Sequence, residues 1–129
     1  ARRNAARLRL ARVEWREGPW YAPVAGERFD LIVSNPPYVA EGDPRVERDV
    51  RRYEPSLALF AGADGLDALR IIAAGAAAHL QGGGWLVVEH GDDQGEAVRA
   101  LLAAGGLLDV ATYRDLAGHE RCTEGRRAA

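Results

Sequence analysis

Apolar positions along the chain fall into two patterns, compact runs of strand length and stripes at helical spacing. Phe29-Asp30-Leu31-Ile32-Val33-Ser34 and Trp85-Leu86-Val87-Val88-Glu89 are runs with little alternation, as expected of strands buried on both faces of a parallel sheet. Between them Leu66, Leu69, Ala73, Ala76 and Leu80 recur on one helical face, with Asp64 as the expected N-cap and Gly82 as the stop. A second helix is predicted to open on a capping box of Asp93 and Glu96, to carry Val98, Leu101 and Leu102 inward, and to end at Gly105-Gly106. Leu108–Arg114 and Glu120–Gly125 read as two last strands, antiparallel because a short turn joins them. Upstream, residues 1–9 show an Arg-rich helical pattern, Val13–Arg16 is a short strand candidate, and Glu17–Glu27 is rich in turns. Residues 39–63, with two prolines and many charges, read as a long ordered loop. Strands alternating with helices at this spacing imply an α/β layered sheet.

The length of 129 residues is that of one domain, residues 1–129, and 47% hydrophobic residues suffice for a core. A net charge of −2 provides no global basic field for nucleic acid. All 17 basic residues are Arg, a compositional bias that marks no site. The single cysteine, Cys122, excludes a disulfide framework within the chain and reads as a small buried hydrophobe. No apolar run approaches the length of roughly 18 residues that a membrane span needs, and no signal peptide opens the chain. A soluble cytoplasmic protein is the simple expectation. The chain starts without Met, in what reads as the middle of a helix, so it is expected to be part of something longer.

Chemistry is concentrated at Asn35-Pro36-Pro37-Tyr38, which directly follows a buried strand. In open α/β sheets ligands bind beyond the carboxyl ends of strands. Two successive prolines fix φ and push Asn35 and Pro36 into extended conformations, and neither proline has an N–H. The segment therefore presents carbonyl oxygens and side chains with few competing donors. An amide or aromatic amine NH₂ carries two hydrogens and a lone pair delocalised into its π system. The Asn35 side-chain oxygen and the Pro36 carbonyl can accept both hydrogens and aim the lone pair at an electrophile. As the nitrogen is methylated it becomes positive and the same acceptors hold it more strongly, which is differential stabilisation of the transition state. Tyr38 offers a face for stacking on the planar group. The competing reading is a rigid turn that ends a strand, because Asn-Pro marks turns generally.

Phe29 to Tyr38 resembles motif IV of the HemK/PrmC family, the protein-(glutamine-N5) methyltransferases that act on peptide chain release factors. The resemblance continues through Asp49-Val50-Arg51, Tyr53-Glu54-Pro55, Ala58-Leu59 and Asp64-Gly65-Leu66. It extends to Glu89-His90-Gly91 with Gln94 to Arg99, and to Arg114 to Gly118 with Glu120-Arg121. It implies a class I, Rossmann-like S-adenosylmethionine-dependent methyltransferase fold with strand order 3-2-1-4-5-7-6. This chain would supply strand 3 and strands 4 to 7, an incomplete sheet lacking strands 1 and 2. The resemblance also implies that Asn35 and Pro36 hold the glutamine amide, with Pro37 and Tyr38 completing the substrate site. S-adenosyl-L-methionine would be the cofactor, with Trp20, fifteen residues before Asn35, and Asn35 itself in contact with it. Pro19 departs from the family's Gly-Asp-Trp-like segment at that point. The partners implied are class I release factors, through their Gly-Gly-Gln motif. The family's Gly-rich methionine loop and ribose-binding carboxylate would precede Ala1, so the chain alone is expected to be inactive. Strand 4 would then have an open edge, with residues 1–28 loosely held or strand 3 shifted to pair with it.

Other residues carry blander expectations. Glu89 and His90 read as packing or hydrogen-bonding groups behind the site, and Asp92 and Asp93 as helix caps. His79 and His119 lack partners at metal-ligand spacing. Gly82-Gly83-Gly84 reads as a helix-to-strand turn, since a strand follows it where a phosphate loop would need a helix. The runner-up function is a DNA adenine-N6 methyltransferase, which uses the same tetrapeptide on a flipped base. A ribosomal-protein glutamine methyltransferase and a non-catalytic fragment are the remaining alternatives.

Overall fold

A computed structural model of the chain describes residues 12–36 and 65–129. Strand β1 (Phe29–Ser34) lies parallel to β2 (Leu80–Glu89), and the connection between them includes helix α1 (Asp67–His79). Helix α2 (Gly95–Ala104) leads into the hairpin of β3 (Leu108–Arg114) and β4 (Glu120–Arg126). The sheet order is β1-β2-β4-β3, with β4 antiparallel to both β2 and β3. That order matches the 4-5-7-6 end of the expected methyltransferase sheet, including its antiparallel final pair.

Helices α1 and α2 pack against each other and against the sheet. Leu69, Ile72, Ala73 and Ala76 of α1 and Val98 and Leu102 of α2 close over Leu86 and Val88 of β2. Leu69, Ala73 and Ala76 keep their predicted inward place and Ile72 joins them, whereas Leu66 precedes α1 and Leu80 opens β2; Leu101 is partly buried beside Val98 and Leu102. Truncating a side chain as enclosed as Leu69 or Leu86 removes about 2–5 kcal/mol. Gly106 stops α2 at φ +87°, a left-handed conformation that glycine adopts without penalty.

Several boundaries differ from expectation. α1 ends at His79 and β2 begins at Leu80, because Gly83 and Gly84 join β2 through bonds with Arg127: the Gly83 N–H donates to its carbonyl and the Arg127 N–H to the Gly84 carbonyl. The expected turn at Gly82–Gly84 is therefore strand. α2 starts one residue later than an Asp93 cap would place it. Its N-cap is Gln94, which makes no side-chain capping bond and instead accepts the Gly91 N–H at 2.8 Å. α1 begins at Asp67 with Leu66 as its N-cap, so Asp64 does not cap it; the expected loop over 39–63 and the helix over 1–9 lie outside the described residues.

Two corrections bear on the site. Val13–Arg16 is not a strand: residues 13–17 have no regular structure and pair with nothing in the sheet. A strand with apolar groups at Val13 and Trp15 and charges between them holds only when a ladder partner buries one face. Val13 and Trp15 are instead exposed. β1 is also not buried on both faces. Ile32 stands opposite Leu86 and packs on the core, but Leu31 and Val33, opposite Trp85 and Val87, are 56% and 68% exposed. Among the described residues β1 has one strand neighbour, β2, and its other edge is open.

Candidate functional site

The open edge of β1 is flanked by the turn over Gly18–Gly26, whose centre is the short 3-10 helix Ala22–Val24. Pro19 and Tyr21 supply the carbonyls that close it, accepting from the Ala22 and Val24 N–H groups at 3.0 Å each. Trp20 sits in this turn with φ at +47°, a left-handed conformation that is uncommon for a bulky residue. Arg16 pairs with Glu14 at 2.8 Å and with Glu27, and Arg28 donates to the Leu80 carbonyl at 3.1 Å.

Trp20 and β1 enclose two adjoining hollows. The larger, about 300 Å³, lies between Trp20, Val24, Phe29 and the Leu31–Val33 stretch. The smaller, about 140 Å³, runs from Trp20 to Ser34 and Ile72. Ser34 is the last residue of β1, so the trough ends at the residue before Asn35. Asn35 is exposed and Pro36 buried, so the amide group of Asn35 is offered to solvent from a fixed support. The structure therefore brings Trp20 and the Asn35 end of β1 to one edge of the sheet. Pro37 and Tyr38 lie outside the described residues.

The trough lining is aromatic and aliphatic, with Ser34 and Tyr21 as its polar members and no charged residue. Among the described residues it offers apolar surface and no charged partner.

Behind the site, β2 runs out beside β1. Ser34 pairs with Val88, which places Glu89 and His90 level with Asn35 and Pro36. His90 is completely buried. Its Nδ1 lies 2.8 Å from the Gly91 carbonyl, which can only accept, so Nδ1 carries hydrogen. Its Nε2 lies 2.7 Å from the Thr123 hydroxyl, which is 2.8 Å from the Thr112 hydroxyl, and Arg99 donates to Thr112 at 2.8 Å. His90 thus ties β2 to the β3–β4 hairpin, in keeping with a packing role. His119 stands 3.5 Å from Asp92, and no group of metal-ligating side chains forms among the described residues. Cys122 is half-buried in β4.

Sequence reasoning missed Tyr21. Its hydroxyl donates to the Ile72 carbonyl at 2.7 Å and its ring stacks on His79, with centroids 4.3 Å apart and 14° between planes. Partial burial pushes its phenol up to about 12. Gly75, in the middle of an alanine-rich helix, was the available signal, because glycine there weakens the helix and marks a close approach.

No family model matches the chain. Over 126 residues, 98% of this chain, it is 60% identical to a protein of Xylella fastidiosa named release factor glutamine methyltransferase, of which it covers 46%. A protein of the same name from Pseudomonas aeruginosa is 51% identical over 128 residues, 99% of this chain and 46% of its own length. Among solved structures, the release factor-specific protein-(glutamine-N5) methyltransferase of Alicyclobacillus acidocaldarius superposes with a TM-score of 0.51 at 25% identity. That match covers 79% of this chain and 50% of the other. The chain spans about half the length of the curated relatives it matches. By sequence along nearly all of its length and by the fold of its four-stranded sheet, it is similar to part of the release factor glutamine methyltransferases.

Proposed function

We propose that the protein is an S-adenosylmethionine-dependent methyltransferase for the glutamine side chain of the Gly-Gly-Gln motif in class I peptide chain release factors. This chain carries the acceptor site and one wall of the donor site. The observation that carries the reading is the placement of Asn35-Pro36 at the open carboxyl end of β1, in a chain 60% identical to a release factor glutamine methyltransferase over 98% of its length.

The Asn35 side-chain oxygen and the Pro36 carbonyl accept the two amide hydrogens of the glutamine. Pro37, lacking an N–H, leaves the Pro36 carbonyl free of local competition, and Tyr38 stacks on the amide plane. With both in-plane hydrogens held, the nitrogen lone pair, perpendicular to the amide plane, faces an electrophile placed over that plane. S-adenosylmethionine supplies an electrophilic methyl group when bound. Asn35 and Pro36 then stabilise the positive charge that grows on the nitrogen, and no general base is needed beforehand because the product loses its proton to water. Trp20 covers the apolar part of the donor.

Transfer of tritium from labelled S-adenosylmethionine tests the reading in the full-length protein. Label in a release factor and none in duplex DNA supports it. Label confined to N6-methyladenine overturns it in favour of the DNA methyltransferase that shares the Asn-Pro-Pro-Tyr tetrapeptide. The net charge of −2 does not favour that alternative.

A further inference from the structure

The connection between β3 and β4 turns at the carboxyl end of β2. Glu89 stands opposite Cys122, and the His90 N–H donates to the Arg121 carbonyl at 2.9 Å. His119 of the connection stands 3.5 Å from Asp92, in the turn that follows β2. Asn35 leaves β1 level with Glu89, so the hairpin tip and the acceptor residues share one end of the sheet, with β2 between their strands. At about 4.8 Å per strand, two spacings put the base of the tip roughly 10 Å from the Asn35 row. In the expected order 3-2-1-4-5-7-6 the upstream strands add beside β1, and the hairpin stays at the far end of the sheet.

The tip is bonded to itself. Asp115 Oδ1 accepts the Ala117 and His119 N–H groups at 2.9 Å each, and Oδ2 accepts from Arg121 at 3.3 Å. The Asp115 N–H donates to the His119 carbonyl at 2.8 Å and the Gly118 N–H to the Asp115 carbonyl at 3.0 Å, while Arg114 holds the Gly118 carbonyl at 2.9 Å. Gly118 turns at φ +84°, which closes the hairpin without strain. With these bonds made internally, covering the tip leaves few polar groups unpaired. Leu116 stands outside the set and is the most exposed large apolar residue described, at 110%. A single exposed leucine on a surface is ordinary. This one is presented on a fixed turn at the end of the sheet where the acceptor site opens. A protein contact of ordinary size covers about 800 Å² on each partner, a disc roughly 16 Å in radius. A disc of that size centred on Asn35 reaches the tip.

We infer that the Asp115–His119 tip is a docking point for the release factor, with Leu116 entering an apolar hollow of the protein whose glutamine is held at Asn35. The inference rests on the proposed release factor substrate.

The test uses the full-length protein and a purified release factor. KM for the release factor, the single-turnover rate at saturating release factor and S-adenosylmethionine affinity are measured for wild type, Leu116→Ala, Leu116→Asp and Leu108→Ala. Leu108 is the control, an apolar residue 47% exposed at the opposite end of β3. Leu116→Ala is expected to raise KM about tenfold and Leu116→Asp further, as loss of one buried leucine contact would. The saturating rate and donor affinity should stay close to wild type, and Leu108→Ala should leave KM unchanged. With Leu116 replaced by a photoreactive benzophenone amino acid, illumination should join the protein to the release factor. Unchanged KM in both Leu116 variants, or an equal rise in Leu108→Ala, overturns the docking point. So does a crosslink that forms only within the chain or between two copies of it, or no crosslink at all. A wild type that leaves the release factor unmethylated sinks the proposed substrate and the docking point together, whereas unchanged KM in an enzyme that does methylate it sinks the docking point alone.

Discussion

Ser34 of β1 stands opposite Val88 of β2 in the parallel ladder, and this register sets Asn35 and Pro36 level with Glu89 and His90 as both strands leave the sheet. The acceptor residues therefore emerge beside a strand end held by the buried His90–Thr123–Thr112 bonds. Rigid support of this kind is what a group that must aim a lone pair requires.

Asn35→Ala in the full-length protein is expected to lower kcat by a factor on the order of 100 to 1,000, the range seen when one charge-stabilising hydrogen-bond partner is lost. Donor affinity should change much less. Single-turnover rates and donor titration measure the two separately, and near-normal turnover would take Asn35 out of the mechanism.

Thr123→Val keeps the shape of the side chain and leaves the His90 Nε2 without its partner in a fully buried place. The expected cost is about 1–3 kcal/mol of folding stability, read from the urea midpoint. A change close to zero would mean that water or a rearranged Thr112 replaces the bond.

Tyr21 gives the fold a pH signature. Tyr21 has its phenol raised to about 12 by burial, above its unfolded value of about 10. The folded state thus holds a proton that the unfolded state gives up first. Tyr21's contribution is fully present below about pH 10 and is lost as pH rises from there toward about 12. Wild type should lose more stability than Tyr21→Phe between about pH 10 and pH 12. Parallel losses in the two proteins would show that Tyr21 is not buried as described.

Much of the sheet was legible because Phe29–Ser34 and Trp85–Glu89 are compact, largely apolar runs and Leu108–Arg114 is bounded by Gly106 and a turn. The stripe from Leu69 to Ala76 gave the helix for the same reason. Val13–Arg16 misled because a two-residue alternation fits a strand locally, while pairing is decided by what lies alongside. The exposure of Leu31 and Val33 could not be read from composition, since nothing in the run itself says which face is covered. Asn35 and Pro36 stood out through proline stereochemistry. Trp20 entered only through family resemblance, and the packing of Tyr21 on Ile72, Gly75 and His79 joins residues too far apart in sequence for any local pattern to link them.

The open edge of β1 carries its own expectation. With β2 as its one described neighbour and with Leu31 and Val33 exposed, β1 in the 129-residue chain by itself presents unpaired apolar backbone. That chain should self-associate with rising concentration, and Val33→Lys should reduce the effect in light scattering. Equal, concentration-independent monomer mass for both would contradict this.

The central claim is the acceptor atom, and tandem mass spectrometry of a release factor incubated with the full-length protein and S-adenosylmethionine addresses it most directly. The account expects one added methyl group on the side-chain nitrogen of the Gly-Gly-Gln glutamine, absent when that glutamine is replaced and strongly reduced with Asn35→Ala. Methylation at any other residue, or methylation that survives loss of that glutamine, would contradict it.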